Sequence, residues 1–270
     1  MGLALIWKVL KMSGQITRRL KPEEEEILRK REELAAIRAA LAEREMELVD
    51  LRSQLAAFEG RYLRQVGTLY AELDEWKARI SELQARLDPS TASKAQAEEA
   101  REQARQTYED AHGKASETQD FTPSPELKRL FREVAKRIHP DFAKDSADLD
   151  RRTRFMTEAN RAYEAGDAET LQRILDEYQD GADAVEGEGI GAELIRIIRQ
   201  ISLAKSRVAA IEQELAALRE SEIALLKKQS EEREQEGRDL LAELATAVRE
   251  QIESAKKKHE ALAKQEVKPA

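Results

Sequence analysis

Apolar residues recur along this chain in alternating steps of three and four. After Pro22, the positions Leu34, Ile37, Leu41, Leu48, Leu51, Leu55, Phe58 and Tyr62 form such a series, with Arg44 filling one place in it. This is the seam of a helix that packs on another helix, and it predicts a coiled coil over residues 22–88. The next apolar residue after Tyr62 is Val66, four on instead of three, before Leu69, Leu73, Trp76, Ile80, Leu83 and Leu87 resume the rhythm. Two successive fours make a stutter, which locally unwinds a supercoil, and Gly60 and Gly67 bracket it, so a soft point is expected at 60–67. Pro22 followed by Glu23, Glu24, Glu25 and Glu26 starts the helix, and Asp88-Pro89 ends it.

A second series, Leu194, Ile198, Ile201, Ala204, Val208, Ile211, Leu215 and Leu218, predicts another coiled coil over 191–265. It weakens between Glu222 and Gly237 and returns with Leu241, Leu244, Val248 and Ile252. Residues 89–120 read as a linker and an Ala/Glu/Gln/Arg-rich helix with little apolar face, which would only bridge. Glycines and acidic residues mark a flexible linker at 181–190. Residues 1–21 and 266–270 are read as tails, and either Met1 or Met12 could be the start.

Between the two seams lies a region of different character. Six of the twelve aromatic residues, Phe121, Phe131, Phe142, Phe155, Tyr163 and Tyr178, fall within 121–180, so a compact core is expected there. Residues 126–138 place Leu127, Leu130, Phe131, Val134, Ala135 and Ile138 on one helical face. The other face carries Lys128, Arg129, Arg132, Lys136 and Arg137 against Glu126 and Glu133. His139-Pro140-Asp141 follows at once, and Pro140 ends the helix by pushing His139 out of the α region. A second amphipathic helix spans roughly 148–165, with Gly166 as its C-cap, and a short one follows at 167–178.

Basic helix, His-Pro-Asp loop and antiparallel partner helix together resemble a J domain of the Hsp40 (DnaJ) co-chaperone family over about 40 residues. Leu127, Phe131, Val134 and Ala135 match its second helix, and Asn160, Ala162 and Tyr163 match the Asn-x-Ala-Tyr ending of its third. The family's first helix has no counterpart upstream, where residues 119–125 stand instead and Phe121 is expected to supply the missing packing. Its usual fourth-helix signature is replaced by Leu171, Ile174, Leu175 and Tyr178. The resemblance implies that His139, Pro140 and Asp141, with Lys128, Arg129, Arg132, Lys136 and Arg137, contact an Hsp70 (DnaK-like) chaperone and stimulate its ATP hydrolysis. The alternative is a structural scaffold whose J-like hairpin does not engage Hsp70.

Composition narrows the remaining classes. Lys and Arg total 46 and Asp and Glu 54, so the net charge is −8 and charged residues make up 37%, well above the usual quarter. That excess favours long solvated helices, and the negative sign argues against nucleic-acid or anionic-membrane binding. With no cysteine there is no disulfide, thiolate metal site or Cys nucleophile, and the histidines, His112, His139 and His259, lie far apart in sequence. No phosphate-binding glycine loop, metalloprotease helix or nucleophile elbow is present. The expectation is therefore an all-α, soluble, cytoplasmic protein that is not an enzyme, needs no cofactor or metal, and has long coiled-coil helices flanking a small J-like domain. The similar lengths of the arms suggest an intramolecular antiparallel hairpin with the J-like domain at its tip and positions near Leu34 and Leu244 adjacent. A parallel homodimer with Leu51 meeting Leu51 satisfies the same seams.

Overall fold

The computed structural model describes residues 21–113, 122–178 and 189–266, and among these the fold is all-α with no strand. Helix α1 (Pro22–Tyr62) passes through a π-helical turn (Leu63–Gly67) into α2 (Thr68–Leu87). The π turn falls on the stutter. It takes up the extra residue as a widened turn, so Leu55 and Phe58 before it and Leu73 and Ile80 after it all stay buried. Helix α3 (Thr91–Gly113) then folds back along α2. The Thr107 hydroxyl donates to Asp74 (2.9 Å), and Arg101 pairs with Glu82 (3.7 Å), which fixes the antiparallel sense. Ala104 and Ala111 are buried in that contact. The expected bridge is therefore a packed helix, because alanines let two backbones approach without a broad apolar face.

The second seam is divided among α7 (Ile190–Arg219), α8 (Glu222–Gln235) and α9 (Leu240–Glu266). Ser221 caps α8, its Oγ accepting from Ala224 N, and Gly237 takes a positive φ of 76° in the turn before α9. The seams pack on each other within one chain, but the expected antiparallel hairpin is not what forms. Arg31 pairs with Glu193, Glu45 with Arg207 (2.9 Å), Arg52 with Glu214, Lys256 with Glu72 (3.4 Å) and Arg86 with Glu266 (3.1 Å). Both numbers rise together, so the arms are parallel. Leu34 shares a cluster with Ile197 and Ile201, whereas Leu244 packs near Phe58, Val66 and Leu73. One seam position also shifts. Ile197 is buried and Ile198 is 45% exposed, since the step 194–197–201 faces α1 better than 194–198–201.

The central module comprises α4 (Pro125–Ile138), a 3-10 turn (Pro140–Phe142), α5 (Ser146–Glu164) and α6 (Ala168–Glu177). It does not project from the end of the arms. Ala42, Met46 and Val49 of α1 enter its core beside Leu130, Phe131, Val134, Tyr163, Leu171 and Ile174. Helix α1 thus carries two apolar stripes, one (Leu41, Leu48) toward α7 and another (Ala42, Met46, Val49) toward the module. A helix of 10 residues such as α6 is marginal in isolation, and full burial of Leu171 and Ile174 is what holds it. Phe121, expected to complete this core, lies outside the described residues, as do the tail at 1–20 and most of the 181–190 linker.

Candidate functional site

Helix α4 starts where Ser124 Oγ accepts from Leu127 N (3.1 Å) and Pro125 occupies the first turn. It ends at His139, whose ring caps the following turn. The Asp141 amide donates to His139 Nδ1 (3.1 Å), so Nδ1 is an acceptor and Nε2 carries the proton, donating to Glu45 Oε1 (3.1 Å) on α1. His139 is 4% exposed. Burial on its own would raise the Glu45 carboxyl, but the His139 hydrogen bond and the Arg207 guanidinium of α7 outweigh it and hold the group below its ordinary value. Glu45 therefore joins the loop, α1 and α7.

Arg152 of α5 supports the loop from the other side. Its Nη1 donates to the carbonyls of Arg137 (2.9 Å) and His139 (3.4 Å), and its Nε to Asp148 Oδ2 (2.8 Å). The first bond satisfies a carbonyl that the end of α4 leaves open, and the second joins the Phe142 amide (3.1 Å) on the His139 carbonyl. Phe142 closes the turn. Its ring is buried in the cluster shared by α1 and α7, with the Arg38 guanidinium 4.4 Å from the ring centroid.

The eight nominated residues divide into two sets. Lys128 Nζ donates to Asp50 Oδ2 (2.7 Å), Arg132 pairs with Glu43 (3.1 Å), and His139 meets Glu45, so these three face α1. Asp50 also accepts from the buried Tyr163 hydroxyl (3.1 Å), and burial followed by the Asp50 charge drives the Tyr163 pKa upward. Arg129, Lys136 and Arg137 face away and are exposed, and Pro140 and Asp141 are part-exposed at the end of the helix. The Asp141 carboxylate retains 29% of its side-chain exposure, 3.7 Å from His139 Nδ1.

Sequence reasoning missed Glu45, Asp50, Arg152 and Arg207. One signal was available for the division of the cations. At about 100° per residue, Lys128 borders the apolar stripe of α4 and Arg129 and Lys136 lie opposite it, but exposed Arg137 borders its other edge, so the spacing sorts these cations only in part. No group of three His, Asp or Glu side chains among the described residues is placed to hold a metal ion, and no described helix is long and apolar enough to cross a membrane. No family model, curated protein or solved structure matches this chain.

Proposed function

We propose that the chain is a J-domain-type co-chaperone acting in the cytoplasm, which docks on an Hsp70 and stimulates its ATP hydrolysis without catalysing a reaction itself. One observation carries this reading. A part-exposed Asp141 follows a helix whose outward cations, Arg129, Lys136 and Arg137, are exposed to solvent, with Arg137 beside Glu133 of the same helix (3.9 Å). An acidic partner surface would meet these cations, and Asp141 would make a charge-assisted contact beside them. By binding preferentially the Hsp70 state nearer to hydrolysis, such a face supplies coupling free energy through differential affinity. The docking face proposed is narrower than the full basic helix, since Lys128, Arg132 and His139 are engaged by α1.

That same engagement favours a second reading. His139, Lys128 and Arg132 all serve internal contacts, so the hairpin could be a structural spacer within a helical scaffold. The two readings separate in a phosphate-release assay with the host Hsp70 and ATP. The co-chaperone reading expects stimulation by the wild-type protein and its loss in Asp141→Asn, with helicity and melting unchanged. Arg129→Glu combined with Lys136→Glu should raise the half-maximal concentration, less so at high salt. Absence of stimulation by the wild-type protein favours the scaffold, and undiminished stimulation by Asp141→Asn overturns the contact proposed for Asp141.

A further inference from the structure

The His-Pro-Asp loop has two anchors of different origin. The first belongs to the module: Arg152 binds the Arg137 and His139 carbonyls. The second belongs to the arms. His139 Nε2 donates to Glu45, the Glu45 carboxylate also receives Arg207 from α7, and Phe142 is buried among α1 and α7 residues that include Leu41, Leu48 and Ile211. Removing α7 would strip Glu45 of its cation and uncover Phe142, while leaving the contacts of Ala42, Met46 and Val49 with α4 in place.

We infer that the paired arms position the His-Pro-Asp loop, with Glu45 and Arg207 as positioning residues, so that the ordered loop exists only while α7 lies on α1. The tautomer of His139 is the link. With Glu45 accepting from Nε2, Nδ1 stays free to hold the Asp141 amide, which fixes the direction of the Asp141 carboxylate. Loss of Glu45 lets the imidazole exchange tautomers and releases that amide. Linkage is reciprocal, so a partner that fixes the loop strengthens arm pairing by the same factor. The consequence for Hsp70 rests on the co-chaperone reading above, whereas the positioning itself does not.

Amide hydrogen exchange and imidazole nitrogen NMR on the full-length protein test this directly, comparing wild type with Glu45→Ala, Arg207→Ala and Ile211→Asp. Exchange at Asp141 and Phe142 should rise about tenfold or more in Glu45→Ala and Ile211→Asp, and less in Arg207→Ala, while interior α4 amides keep their protection. The His139 nitrogen shifts should lose the signature of a single Nε2–H form in Glu45→Ala. Unchanged loop exchange in Ile211→Asp overturns the inference, and if that variant does not fold, unchanged exchange in both Glu45→Ala and Arg207→Ala does so. Equal loss of protection in α4 also overturns it, because α1 would then merely complete the core. In parallel ATPase assays, a raised half-maximal concentration for Glu45→Ala extends the inference to docking. If the wild-type protein itself gives no stimulation, the co-chaperone reading fails and the exchange data alone decide the inference.

Discussion

Arg152 is a charged residue with 5% exposure, and each of its contacts explains why it is tolerated there. A guanidinium inside protein is stable only when its donors are met, and this one serves a carboxylate, two helix-end carbonyls and the face of Tyr178, 5.3 Å away. Replacing it with alanine leaves the Arg137 carbonyl without its side-chain donor and removes one of the three donors that meet the Asp148 carboxylate, and we expect Arg152→Ala to cost about 3 kcal/mol in chemical denaturation. Its partner gives a pH signature. Burial would raise the Asp148 carboxyl, yet hydrogen bonds from Arg152, the Lys144 amide and Arg151 hold it below the ordinary value. A carboxyl depressed on folding adds stability that is fully present above its unfolded pKa, about 3.9, and disappears as pH falls through the lower folded value. Melting temperatures followed from pH 7 downward should therefore fall below about pH 4, and more steeply in wild type than in Asp148→Asn. Parallel curves would show that Asp148 does not contribute.

The π turn at Leu63–Gly67 is where sequence and packing most directly constrain each other. A Cβ added to Gly67 would stand 3.0 Å from Leu63 Cδ2 and 3.8 Å from the Ala111 Cβ of α3, so only a residue without a side chain fits without displacing a neighbour. Gly67→Ala gains helix propensity and asks only a flexible Leu63 tip to move, but Gly67→Leu must push α3 from α2. We expect Gly67→Leu to destabilise by about 1–3 kcal/mol, the usual cost of overpacking, and to increase exchange in α3. Wild-type stability would mean that α3 yields freely. Much at this scale was legible beforehand. The stutter marked the π turn, the apolar face of 126–138 and Pro140 marked α4, and Gly166, with its φ of 72°, marked the end of α5. Less legible was which face of α7 turns inward, because Ile197 and Ile198 are equally apolar and only the register with α1 selects between them. The inward cations of α4 were hidden for a related reason, since their acidic partners lie 78 and 89 residues away in sequence.

A heptad seam reads the same in either direction, so the sense of arm pairing was invisible in the apolar pattern and had to come from connections and charges. Helix α3 supplies the connection. By returning along α2, it brings the chain back toward the level of the module, from which α7 can begin beside the start of α1. The ion pairs then fix the register, because reversing α7–α9 would break the pairing of Arg31 with Glu193 and of Arg86 with Glu266. This yields a direct test. The chain has no cysteine, so paired substitutions can be spin-labelled without background. Labels at Arg31→Cys and Glu193→Cys should lie close together, as should labels at Arg86→Cys and Glu266→Cys. Labels at Arg31→Cys and Glu266→Cys should be roughly 80 Å apart, the helical rise between residues 31 and 86 at about 1.5 Å per residue. Antiparallel arms would reverse these results, placing positions 31 and 266 together. Diluting doubly labelled protein with unlabelled protein separates pairing within a chain from pairing between chains. Because the seams cover each other internally, the short distances should survive dilution, and their loss would transfer the partner helix to a second copy.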